Sequence, residues 1–209
     1  MKRHTKAFPA MLLCIVLVTG TLSAQNNYKA IQDAFKSSFS WEYKGNYPDA
    51  IAALKAVYDE NSYELNLRLG WLNYLSGSFT EATAYYQKAI ALRPYAIEPR
   101  FGYVLPASAL GNWEQVKTQY NEILTIDPQN TQANYRMGMI WYGKQDYAKA
   151  DKYFEKVVNL YPFDYDSSIM FAWTNLKLGR YREAQVLFNT VLMLRPDDQS
   201  AQEGLALIK

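Results

Sequence analysis

The chain has 209 residues, 49% of them hydrophobic and 20% charged, which suits one folded domain and is too apolar for a disordered one. Its 22 Lys and Arg against 20 Asp and Glu give no excess that would draw nucleic acid. One Cys and one His leave no material for a disulfide framework, a Cys/His zinc site or a His-based triad.

Residues 1–24 differ from everything after them. Lys2, Arg3 and Lys6 make a basic start, Ala10 to Val18 is apolar and uncharged, and Thr19 to Ala24 is small and polar. That order predicts a secretory signal peptide cut after Ala24, with an uncleaved inner-membrane anchor as the alternative. The apolar run is shorter than the roughly 20 residues a spanning helix needs. Leu13 before Cys14 is too large for a lipoprotein site. The cut would remove Cys14 and His4 and leave 19 basic against 20 acidic residues. Residues 25–30 form a short N-terminal segment.

From residue 31 the chain repeats itself. Leu178 to Pro196 (LGRYREAQVLFNTVLMLRP) matches Ser76 to Pro94 (SGSFTEATAYYQKAIALRP) offset by offset. Gly45, Gly77, Gly111 and Gly179 share one slot, with Gln145 in the fourth of five. Five residues after the slot stand Ala50, Ala82, Val116, Ala150 and Ala184. Pro94, Pro128, Pro162 and Pro196 recur every 34 residues. The units are 31–62, 63–96, 97–130, 131–164 and 165–198, each predicted as two helices. The residue in the slot turns the chain between them and the Pro ends the second. Seven residues before the slot come Ser38, Gly70, Val104, Gly138 and Ala172, expected to face the Ala series. Nine after it come Leu54, Tyr86, Tyr120, Phe154 and Phe188, expected to fill the space between repeats.

Two repeats depart from the pattern. The first is two residues short, so its second helix is expected to bury less well. The third has Val104 at a small position and Pro106 inside its first helix, which predicts a local kink or a bend that reshapes a binding face. Residues 199–209 begin a terminal capping helix with Ser200 as its N-cap.

Small residues at two offsets, an aromatic after the turn and a closing Pro every 34 residues resemble the tetratricopeptide repeat (TPR). The resemblance implies an all-α fold: a right-handed α-solenoid of five helix–turn–helix repeats plus the C-terminal capping helix. It also implies that the first helices line a concave groove where a protein or peptide partner binds.

Helical spacing projects that surface. The row ten before the slot is Phe35, Leu67, Phe101, Tyr135 and Ile169. The row six before holds Phe39, Trp71, Leu105, Met139 and Trp173, and the row three before adds Tyr74 and Tyr142. An apolar, aromatic face of this kind marks a docking surface, unless neighbouring helices take it up as inner-wall packing. Arg68 and Arg136 would rim it and meet acidic groups of a ligand, unless they are solvated helix charges. Gln32, Glu64, Glu98, Gln132 and Asp166 lie in first turns, where acids suit the helix dipole rather than catalysis. Asp164 with Asp166 is too sparse for a calcium loop.

The expectation is a noncatalytic adaptor or scaffold in the cell envelope, periplasmic or outer-envelope associated, holding a partner peptide or helix. No cofactor, metal or nucleic acid is implied. The alternatives are a structural envelope subunit acting through its convex face or self-association, with Tyr85 and Tyr153 as contacts, and a glycan binder.

Overall fold

The computed structural model describes residues 28–208; the expected signal segment lies outside them. Every regular element described is a helix. The chain forms two units divided after Pro94.

The first unit holds α1 (28–43), α2 (Tyr47–Lys55), α3 (Tyr63–Leu75) and α4 (Phe79–Leu92). Helix α2 is short, as the shortened first repeat requires. Ala50 and Leu54 are nevertheless fully buried, contrary to expectation. They join Ala34, Leu65, Leu69 and Leu72 in one cluster. What shortening removes is the last turn. The chain leaves the helix at Ala56, and the Tyr58 hydroxyl donates instead to Asn66 Oδ1 at 3.0 Å.

The second unit holds α5 (Glu98–Ala109), α6 (Trp113–Ile126), α7 (Thr131–Gly143), α8 (Tyr147–Leu160), α9 (Tyr165–Lys177), α10 (Tyr181–Leu194) and α11 (Gln199–Leu207). Consecutive helices pair from α5 to α11, and α11 also packs on α9. Its last core joins Ile169, Ala172, Ala184, Phe188, Val191 and Ala201.

Each turn inside a repeat places its slot residue at positive φ, between 60° at Gln145 and 81° at Gly77. At Gln145 that conformation costs a side-chain-bearing residue about 1 kcal/mol. It is held by Gln145 N–H donating to Tyr142 O at 2.9 Å and Asp146 N–H donating to Trp141 O at 3.0 Å. Turns between repeats carry helix caps: Ser62, Asn130, Asp164 and Asp198 each accept a backbone N–H of the following first turn. The cap of α11 is therefore Asp198, not Ser200. It starts the helix earlier and frees the Ser200 hydroxyl for another partner. At the matching position before α5 the chain has Ala96, and α5 begins without a side-chain cap.

The core rows sit where spacing puts them, with a correction to their partners. A Cβ at Gly138 would lie 2.6 Å from Cε1 of Phe154, and one at Gly70 3.0 Å from the Tyr86 ring. The small residue before the turn thus faces the large ring of its own repeat, not only the Ala after the turn. On the last repeat the ring also meets the next helix, since a Cβ at Gly204 would lie 2.1 Å from Phe188 Cζ. Pro106 is buried inside α5, which runs on to Ala109. The carbonyl four residues earlier, which a proline ring crowds, belongs to Gly102, where no Cβ adds to the crowding.

Candidate functional site

In the first unit the predicted groove side chains are tied together across α1 and α3. Arg68 is 9% exposed. Its Nη2 lies 2.5 Å from Glu42 Oε2, and its Nε–H donates to Ser38 Oγ at 3.3 Å. The guanidinium lies 3.8 Å from the centroid of the Phe39 ring. Trp71 donates its indole N–H to the other Glu42 oxygen at 2.7 Å. Arg68 is therefore a buried link between two helices and not a rim charge. The reason is Glu42, the one charged residue in its row, which meets both the guanidinium and the indole.

Leu67 and Phe35 are half-buried, and Phe35 stands 6.4 Å from Phe39. Trp71, Tyr74 and Phe79 form a ladder of rings at 5.8 and 5.9 Å. Phe39 remains 55% exposed.

In the second unit the same rows meet apolar neighbours. Phe101 and Tyr135 are half-buried against Tyr120 and Phe154, at 6.3 and 6.0 Å. Leu105 is 39% and Met139 36% exposed. Tyr142 stacks edge-on to Tyr147 at 5.2 Å, and burial, then the neighbouring phenol, push its hydroxyl above the usual tyrosine range. Arg136 is exposed, 5.8 Å from the Tyr135 ring.

The end of the row is closed. Ile169 belongs to the core. Trp173 stands edge-on to Phe188 at 5.3 Å and donates its indole N–H to Ser200 Oγ of α11 at 2.8 Å. The row is thus divided: Phe39, Leu105 and Met139 face solvent, whereas Arg68 and Ile169 serve packing. Trp71 and Trp173 are half-buried and satisfied from within.

Sequence reasoning passed over a cavity of about 670 Å³ in the second unit. Thr131, Gln132 and Tyr135 of α7 form one side, and Val157, Leu160, Tyr161 and Phe163 an apolar wall. Asp164, Asp166 and Ser167 close it at the start of α9. The Tyr135 phenol is raised by burial first, then by Asp166, with Arg136 acting the opposite way and Asp164 adding to the rise. Ser167 is nearly fully buried, and its Oγ has no hydrogen-bond partner. The signal was present, in how residues 131 and 161 differ from their counterparts in other repeats.

Tyr85 and Tyr153 are both half-buried. Tyr85 stands edge-on to Tyr58, 5.8 Å away, with the Lys88 ammonium 5.9 Å off, and burial raises its hydroxyl. Among the described residues, no group of three or more His, Cys, Asp or Glu is placed to hold a metal, and no helix is long and apolar enough to cross a membrane.

Two tetratricopeptide repeat models match the chain, over residues 42–97 and 142–208. The chain belongs to the tetratricopeptide repeat family. Between the two matches lies the TPR repeat with Val104 and Pro106, which keeps its helix pair, α5 and α6, despite those substitutions. Solved structures share the fold. One from Parabacteroides merdae ATCC 43184 is 23% identical, with 85% of this chain covering 72% of that one at a TM-score of 0.72. MamA is 19% identical, with 87% covering 99% at 0.69. YrrB, described as a TPR protein with an unusual peptide-binding site, is 14% identical, with 90% covering 97% at 0.68. No curated protein matches the chain.

Proposed function

We propose that this chain is a noncatalytic docking module that holds a peptide or helix of a partner protein on the side chains its first helices leave exposed, Phe39 in the first unit and Leu105 and Met139 in the second. The family is one of protein–protein interaction modules. One observation supports the inner row as the contact. The core positions five and nine residues after each turn slot are all buried, yet Phe39, Leu105 and Met139 stay exposed on the row that packing does not need. Burying one such side chain contributes roughly 1.5–3 kcal/mol before ordering costs. The order of residues 1–24 supports an exported chain acting in the periplasm or at the outer envelope.

Crosslinking in the native envelope, with mass spectrometry of the captured protein, supplies the partner. The purified partner should then bind Phe39→Ser/Leu105→Ser/Met139→Ser at least about tenfold more weakly than the native chain. Undiminished binding by the triple variant, with its helical circular dichroism intact, removes the inner row from the account. These three residues discriminate better than Trp71 and Trp173, whose loss would also disturb packing.

A further inference from the structure

The cavity between α7, the end of α8 and the start of α9 lies where other repeats carry a plug of their own. In the second repeat the Arg93 guanidinium lies 4.4 Å from the Tyr63 ring centroid, with Nη2 2.9 Å from Glu64 Oε1. In the fifth, Arg195 lies 3.4 Å over Tyr165, whose hydroxyl donates to Asp198 Oδ2 at 2.6 Å. The corresponding positions of the fourth repeat are Thr131, Gln132 and Tyr161. Thr131 offers no ring to stack on, Gln132 no charge and Tyr161 no guanidinium. The internal stack cannot form there. A cavity of about 670 Å³ also lies beside the fifth repeat's stack, but Arg195 itself lines it together with Asp197, Asp198 and Glu203, whereas the cavity of equal volume at the fourth repeat has no basic residue in its lining and an apolar wall of Leu160, Tyr161 and Phe163.

The charge around the opening is also distinctive. Asp164 and Asp166 follow the fourth repeat, whereas the third repeat, which also lacks the stack, is followed by Asn130 and Gln132. Asp164 caps α9 by accepting the Ser167 backbone N–H at 2.9 Å. Asp166 is exposed, and neither carboxylate has an ion-pair partner among the described residues. The opposite wall is the exposed apolar set Leu160, Tyr161 and Phe163. A cation with a flat apolar face satisfies both sides. Guanidinium does so better than ammonium, because it stacks on rings and forks toward carboxylates.

We propose that this cavity receives an arginine side chain of the docked partner, its guanidinium against Asp164 and Asp166 and its stem against Tyr161 and Phe163. The partner thereby supplies the cation that the second and fifth repeats supply from within. The inference rests on reading the chain as a peptide-docking module and names one chemical requirement of its ligand.

The test is an amide-shift titration of the full chain with the capped peptide Ac-Phe-Arg-Leu-NH2, against the same peptide carrying citrulline, which keeps the shape and loses the charge. The arginine peptide should give saturable shifts at residues 131–135 and 160–167 and bind at least about tenfold more tightly than the citrulline peptide. Asp166→Asn should narrow that difference several-fold. Transplanting the plug, as Thr131→Tyr/Gln132→Glu/Tyr161→Arg, should abolish the shifts while the melt stays cooperative.

Equal binding of the two peptides, shifts confined to other residues, or native affinity in the folded triple variant would overturn the proposal. Should the triple variant not fold, Asp166→Asn, on an exposed side chain, decides alone. If the cavity fails this test while partner capture still depends on Phe39, Leu105 and Met139, the docking module stands without the arginine. If capture ignores those three while the arginine peptide binds here, only the inner row falls.

Discussion

Between the first helices of residues 28–94 the contact is a charge network. Glu42 forms an ion pair with Arg68 and accepts from the Trp71 indole, and Arg68 reaches back to Ser38. In the second unit the corresponding residues are Leu105, Ser108, Met139 and Tyr142, and the ring contacts of its first helices run to the second helix of the same repeat, Phe101 to Tyr120, Tyr135 to Phe154 and Tyr142 to Tyr147. At its end a polar tie runs from Trp173 of α9 to Ser200 of α11. The same offset therefore carries a structural side chain in one unit and an available one in the other. The neighbouring helix decides which.

The largest break should come in the second unit. Phe188 is fully buried between the small residues of α9 and Gly204 of α11. Phe188→Ala should cost about 3–5 kcal/mol in a denaturant melt, because the space between three helices cannot collapse. Hydrogen exchange should show α11 losing protection first.

The matching break in the first unit is electrostatic. Glu42→Ala leaves the Arg68 guanidinium buried without its carboxylate and should destabilise by about 3 kcal/mol. Glu42→Gln should cost visibly less, since it keeps an acceptor for the Trp71 indole. Equal losses for the two variants would show that the charge, and not the indole bond, holds α1 to α3.

A finer comparison uses the glycines that admit a ring. Gly138→Ala puts a Cβ 2.6 Å from Phe154, and Gly70→Ala puts one 3.0 Å from Tyr86. The first should cost about 1–2 kcal/mol of overpacking even after the better helix propensity of Ala. The second should lie closer to zero. A larger loss at Gly70 would mean that Tyr86 is held more rigidly than Phe154.

Much of this was legible from spacing. The turn slots, the buried rows at Ala50 to Ala184 and Leu54 to Phe188, and the closing prolines all follow from a period that a stacked helix pair must keep. The fate of individual groove side chains was less legible. Arg68 and Arg136 share one offset, yet one is buried and the other exposed, because only the first has a Glu42 across from it. The cap of α11 was misplaced because both Asp198 and Ser200 are good caps, and the Trp173 indole claims the serine. The cavity was overlooked because what sets it apart, a lining without a basic residue, comes from what Thr131 and Tyr161 fail to supply, visible only against Tyr63 with Arg93 and Tyr165 with Arg195.

By itself the sequence determined the helices, their turns and their small-against-large pairing, since these depend on contacts at fixed spacing within one repeat. Tertiary structure alone decided which groove side chains remain free, where the fourth repeat stays unfilled and which residue caps the last helix. Those outcomes depend on side chains some thirty residues away, whose reach no periodicity specifies.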